Sequence, residues 1–154
     1  MHVPEPVPSS RGHSTSHSKP FVGRFGKVAQ GFRPVNLMRF VILTHDWPFP
    51  HWDFLAEADG VLRAWRLLAE PVADTDIPAE RNFNHRLFYL GYEGPVSGGR
   101  GTVSRWDAGT CEWLADEPDR SEIELRGTKL VGRAVLRREG EAWVFRVTAP
   151  AAAG

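Results

Sequence analysis

From residue 38 onward the chain is a succession of short β-branched and aromatic runs, each cut off by turn residues before a helical period can establish itself. The sharpest signal is Asp59-Gly60, a two-residue hairpin signature flanked by His51–Ala58 and Val61–Glu70. Arg39–Thr44 is a preceding apolar run, and Leu87–Tyr92 an aromatic-rich one read as a strand. Gly101–Asp107, Thr110–Leu114, Ile123–Arg126, Leu130–Arg138 and Trp143–Thr148 follow. Between them lie Ser97-Gly98-Gly99, Ala108-Gly109, a loop with Pro118, Gly127 and Glu139-Gly140, all read as turns. Pro71 to Asn84 reads as irregular, no helix is expected, and a short turn is allowed near Pro118–Ser121. This punctuation implies an all-β fold, an antiparallel barrel or sandwich.

The 154 residues suffice for one domain with a real core. With 42% hydrophobic and 25% charged residues, the composition is that of an ordinary globular protein. No run approaches the roughly 18 apolar residues of a membrane helix, and the N-terminus lacks a signal-peptide core. The single Cys111 excludes an internal disulfide and fits a reducing compartment, so a cytoplasmic monomer is expected. The net charge of zero conceals an asymmetry. Residues 1–37 hold five Lys/Arg and one acid, leaving 14 basic and 18 acidic residues, a net of −4, in the remainder. Such a body is a poor non-specific duplex binder, so any nucleic-acid contact must be local. Residues 1–37 are rich in Ser, Pro, Gly and His without hydrophobic period and are read as a disordered basic leader. The alternative is that translation starts at Met38. The irregular spacing of His2, His13 and His17 argues against a metal site there. Residues 38–154 form the barrel domain in this reading.

Three histidines, His45, His51 and His85, fall in the β-rich part. His51 and Asp53 are two apart on one expected strand, so their side chains leave the same face. The Pro48-Phe49-Pro50 loop folds the chain back to bring His45 near them. Two imidazoles and a carboxylate suit a divalent transition ion and leave coordination positions open; the plainer alternative is a set of polar strand residues satisfied by hydrogen bonds. His85, Leu87 and Tyr89 would share a face, and a histidine with a nearby tyrosine and arginine, Arg86, can bind phosphate and move a proton. Gly98-Gly99-Arg100-Gly101 lacks the following helix and Lys-Ser/Thr of a phosphate loop and is read as a turn. Trp47 or Trp52, beside the histidines, is a candidate for stacking on a base.

Taken together these segments resemble the 3′-phosphoesterase domain of bacterial ATP-dependent DNA ligase D. The resemblance runs through Phe40-Val41-Ile42-Leu43-Thr44-His45-Asp46, His51-Trp52-Asp53-Phe54 and Asp59-Gly60-Val61-Leu62-Arg63-Ala64-Trp65. It continues in Asn84-His85-Arg86-Leu87, Tyr89, Tyr92-Glu93-Gly94-Pro95, Gly101-Thr102-Val103, Trp106-Asp107, Gly109-Thr110, Glu112 and Leu125 to Arg133. It implies a compact β-barrel and a manganese-dependent esterase, or one using another divalent transition ion. Such an enzyme trims 3′-ribonucleoside or 3′-phosphate ends of DNA or RNA, here as a free-standing unit with a separate DNA ligase as a partner. By position, His45, His51 and Asp53 would hold the metal, and His85 would contact the phosphate with Tyr89 beside it.

The chain departs from the family pattern at Leu55, where the family places a phosphate-binding arginine two residues after the aspartate, and at Ala69, where it places a lysine. Counting back from an Asp59-Gly60 turn sets Asp53 opposite Arg66, on the face that lost its arginine. Arg66 is therefore expected to take over the phosphate contact, with Arg86 assisting; the alternative is a structural Arg66–Asp53 pair. A bulge would turn Arg66 to the other face. Two other functions stay open on sequence. One is a non-haem iron oxygenase built on His51, Asp53 and His85; the other is a non-catalytic nucleic-acid or protein-binding module.

Overall fold

Asp59 and Gly60 take positive φ angles of 52° and 81°, as a two-residue hairpin matched to strand twist requires. The computed structural model describes residues 37–150, so the leader reading falls, but for Leu37, outside the described residues. Its strands are β1 (Met38–His45), β2 (His51–Ala58), β3 (Val61–Leu67), β4 (Ile77–His85), β5 (Gly94–Pro95), β6 (Thr102–Glu117), β7 (Arg120–Gly127), β8 (Val131–Glu139) and β9 (Ala142–Thr148). Eight of them follow the order β1-β2-β3-β4-β9-β8-β7-β6, and β6 pairs back to β1. The all-β antiparallel barrel is thus closed, which removes the free edges an open sheet would leave. The two-residue β5 adds to β6 alone. Among the described residues no helix is long and apolar enough to cross a membrane.

Strand alternation sorts side chains into two apolar clusters. Phe40, Ile42, Phe54, Ala56, Trp65, Leu67, Ile123, Leu125, Leu136 and Phe145 come from strands around the whole circuit and fill the interior. Val41, Leu43, Leu55, Leu62, Ala64 and Val103 alternate with them on β1, β2, β3 and β6 and point outward. That outer patch is covered by Leu87, Tyr89, Leu90, Tyr92 and Val96. Burial on both faces explains why β1 reads as a continuous apolar run and not as an alternating one.

Four segments differ from the sequence-based expectation. Leu87–Leu90 is a 3-10 turn, not part of a strand. Its three-residue period sets Leu87 and Leu90 on one side, where both pack on the outer patch. The stretch expected to be irregular contains β4, with Ile77 and Ala79 buried and Glu80, Arg81 and Asn84 exposed. Pro78 and the polar residues masked it; Pro78 stays in the ladder because its carbonyl accepts from Leu68 N at 2.8 Å. Ala108-Gly109 is no turn, since β6 runs through it for 16 residues. Gly109 faces Phe40 of β1 and Gly127 of β7, and a Cβ there would strike the Arg126 backbone carbonyl. The glycine allows close backbone approach where β6 passes from one neighbour to the other. Strand β3 also ends at Leu67 and not at Glu70.

Phe54 is fully buried, its ring centroid 6.1 Å from Phe40, 6.2 Å from Trp65 and 5.2 Å from Phe145. Phe54→Ala is expected to lower the unfolding free energy by about 3–5 kcal/mol, read as a reduced urea midpoint with unchanged slope.

Candidate active site

His45 closes β1 and His51 opens β2, and the ladder sets them opposite each other, with Leu43 opposite Asp53 one step inward. The loop between the histidines is pinned by Asp46, whose Oδ1 accepts from Thr102 N at 2.8 Å. Gly101, at φ 78°, makes this fit: a Cβ there would collide with the Asp46 carboxylate and with Trp47 Cβ. The imidazole centroids lie 4.8 Å apart. Donor atoms of His45, His51 and Asp53 all fall within 4.8 Å of one another, and His51 and Asp53 are buried.

Each histidine is oriented by a backbone carbonyl. His45 Nε2 contacts Arg100 O at 2.8 Å and His51 Nδ1 contacts Phe49 O at 2.8 Å. Only an N–H can make these bonds, so in each neutral ring the other nitrogen carries the lone pair. Those two nitrogens face the two oxygens of one carboxylate, His45 Nδ1 at 3.0 Å from Oδ2 and His51 Nε2 at 3.0 Å from Oδ1. The second contact lacks hydrogen-bond alignment, and His51 Nε2 is buried with no partner. Lone pairs set against carboxylate oxygens repel unless a proton or a cation lies among them. The hydrogen bond to Asp53 raises the His45 pKa above its usual value, burial opposes it, and the Arg100 carbonyl adds to it. Burial alone would raise the pKa of Asp53, but its contacts with His45 and His51 carry it down to about 2. Two imidazoles with backbone-fixed tautomers, one carboxylate and an orphaned buried nitrogen fit a divalent transition ion.

Beside this cluster opens a cavity of about 380 Å³ lined by His45, Asp53, Arg66, His85, Arg86, Tyr89 and Arg100. Arg66 reaches it because the β2–β3 register is unbroken and Asp53 lies opposite Arg66. Its ion pair is to Glu80, at 3.6 Å, and not to Asp53. The guanidinium carbon sits 5.6 Å from the Phe49 ring, and Nε is buried without a hydrogen-bond partner. His85 ends β4; its Nδ1–H donates to Phe83 O at 3.0 Å, leaving Nε2 as the second proton site. The expected shared strand face of His85, Leu87 and Tyr89 is replaced by a turn, which returns the Tyr89 ring to 5.7 Å from His85, edge to face. The triad of His51, Asp53 and His85 does not form: the cluster among the described residues is completed by His45.

The structure also separates the two tryptophans. Trp52 packs against the barrel interior, whereas Trp47 lines the cavity and is exposed. Sequence reasoning missed Asn82, Phe83, Asn84 and Arg100 as cavity residues. For Arg100 a signal existed in the paired glycines: Gly98 and Gly99 both take positive φ, and the turn places Arg100 on the cavity wall while its carbonyl holds His45. Leu55 is fully buried in the outer patch beneath Leu87 and Tyr89.

Residues 43–138 match the DNA ligase D 3′-phosphoesterase domain. The chain belongs to this family. The matched segment contains every residue of the cluster and every arginine of the cavity. Within the family, the multifunctional non-homologous end joining DNA repair protein LigD of Mycobacterium tuberculosis is 35% identical over 115 residues. The corresponding protein of Pseudomonas aeruginosa is 33% identical over 113 residues. These alignments cover 68% and 67% of the chain but only 15% and 14% of the relatives. The phosphoesterase-domain chain thus spans a small part of the length of the curated relatives it matches.

The depressed Asp53 pKa has a consequence for stability. A carboxyl with an ordinary value of 3.8 when unfolded and about 2 when folded contributes stability above the unfolded value and loses it as pH falls through the folded one. Between pH 4 and pH 2 the wild type is therefore expected to lose more unfolding free energy than Asp53→Asn, in urea titrations at a series of pH values. Parallel curves would contradict the assignment.

Proposed function

We propose that the chain is a divalent-metal-dependent 3′-phosphoesterase that trims 3′-ribonucleoside or 3′-phosphate ends of nucleic acid during DNA end repair. The observation that carries this reading is the pair of imidazoles, each tied to a carbonyl, that turn their remaining nitrogens onto one buried carboxylate beside a cavity walled by arginines. His45 Nδ1, His51 Nε2 and Asp53 would hold the ion, with manganese as the family-derived choice. When bound, it supplies Lewis-acid polarisation of a phosphoryl oxygen and a water of lowered pKa.

The chain's own side chains do the rest. Arg66 and Arg86 bind the non-bridging phosphate oxygens and offset charge that grows as the ester bond breaks. Arg66 takes the part of the arginine that Leu55 displaces. It suits the part because its nearest carboxylate, on Glu80, stands off at 3.6 Å and its Nε is unengaged. His85, with Nδ1 committed to Phe83 O, presents Nε2 to the phosphate or to the leaving oxygen, to which it passes a proton. Tyr89 supports the His85 ring by edge contact. We further propose that the chain acts in the cytoplasm, as a monomer, ahead of a separate ligase. The non-catalytic alternative draws on Leu55, but an Arg66 guanidinium that lines the cavity and pairs with Glu80 and not with Asp53 favours turnover.

The test is a manganese-dependent cleavage assay on 5′-labelled primer–templates ending in one 3′-ribonucleotide or in a 3′-phosphate. Loss of the terminal nucleoside or phosphate is expected with the wild type and is abolished in His51→Ala. Arg66→Ala is expected to lower turnover about 10²–10³-fold with manganese affinity, by calorimetry, unchanged. Equal turnover in Arg66→Ala and wild type would remove Arg66 from the mechanism. Absence of any product in the wild type with manganese bound would remove the esterase.

A further inference from the structure

One wall of the cavity is unlike the rest. Phe83 is 73% exposed although it is a large apolar side chain. It lies in β4, next to Asn82 and Asn84, and lines the cavity together with them. One face of its ring is stacked on His85, with centroids 5.2 Å apart and planes 14° from parallel. The exposure of the ring therefore belongs to its other face. Asn82 accepts from Phe83 N through Oδ1 at 2.9 Å, which fixes its amide orientation and leaves the NH₂ group to donate elsewhere. The same cavity is also lined by Arg66, Arg86 and Arg100. Among the described residues Arg86 and Arg100 pair with no carboxylate; Arg86 lies over Phe88 at 5.6 Å, and Arg100 Nε donates to Ser97 O.

A flat apolar face with amides beside it and arginines in the same cavity matches a nucleotide: a base with a π-face and polar edges, joined to an anionic phosphate. We propose that Phe83 is the platform for the terminal nucleobase, which stacks on its free face and continues the His85–Phe83 pair, with Asn82 beside the base edge. This deepens the phosphoesterase reading and rests on it for the position of the phosphate. Stacking on the base adjoining the scissile phosphate fixes the sugar relative to His85, so Phe83 is a positioning and specificity residue. A phenyl face accepts any base, so the platform distinguishes ends that carry a base from ends that have lost it, without choosing among the four.

The experiment uses the full chain and an oligonucleotide with a 3′-phosphate and 2-aminopurine as its terminal base, whose fluorescence is quenched by stacking. It is run with manganese and, separately, with chelator, beside an oligonucleotide with an abasic 3′ end. Wild type and Phe83→Tyr are expected to quench the fluorescence. Phe83→Ala is expected to leave it unquenched and to bind the base-bearing end about tenfold more weakly, with no change for the abasic end. Because Phe83 is outside both apolar clusters, the alanine variant is expected to keep the wild-type Tm. Quenching that survives in Phe83→Ala, absence of quenching by the wild type, or equal weakening on the abasic end would overturn the proposal. Quenching that depends on Phe83 without hydrolysis would keep the platform and discard the esterase; hydrolysis without quenching would do the reverse.

Discussion

Strand β1 is hydrogen-bonded on both edges, to β2 and to β6, and its middle is buried on both faces. Every other feature of the molecule depends on this. The β1–β6 pairing closes the barrel. Phe40 and Ile42 turn inward to its core, and Val41 and Leu43 turn outward to found the patch on which the Leu87–Leu90 turn rests. His45 is the last residue of the same strand, so the candidate metal centre inherits the rigidity of a strand held from both sides. A ligand set built on paired strands is held more closely than one built on loops.

Electrostatically the site runs against the body that carries it. Residues 38–154 hold a net charge of −4, yet the cavity gathers Arg66, Arg86 and Arg100 against one buried carboxylate. The three arginines come from β3, from the residue after β4 and from the turn before β6. Each segment contributes one arginine to the cavity, and the local field arises from their convergence. An acidic exterior disfavours loose adsorption to duplex phosphates, and a cationic cavity rewards an end that can enter it.

The barrel was legible because its evidence is local: turn residues, alternation and the Asp59-Gly60 hairpin each act within a few positions. The register argument for Arg66 held for the same reason, since a two-residue turn and seven unbroken pairs leave no freedom. What sequence did not disclose was set at long range. Strand β4 lacks β-branched residues apart from Ile77 and is stabilised by pairing with β3 and β9. The Leu87–Leu90 segment has strand-like composition but is claimed by an apolar patch it must cover, and tertiary burial overrode propensity. Ala108-Gly109 carries a turn signature that in fact answers to close backbone contact. Arg100 sat in a segment dismissed as a turn; its position in the cavity follows from two left-handed glycines, and its proximity to His45 from a contact across 55 residues.

Both imidazoles take their orientation from main-chain oxygens, those of Phe49 and Arg100. A carbonyl is supplied by any amino acid, so the protonation pattern of the centre is written in the course of the backbone and not in the identity of those two residues. Point substitutions at positions 49 and 100 can therefore drift, altering the cavity wall while the tautomers persist. A one-residue insertion or deletion in either loop would displace the oxygen itself. Divergence among sequences sharing this centre should thus be permissive in side-chain chemistry and strict in loop length.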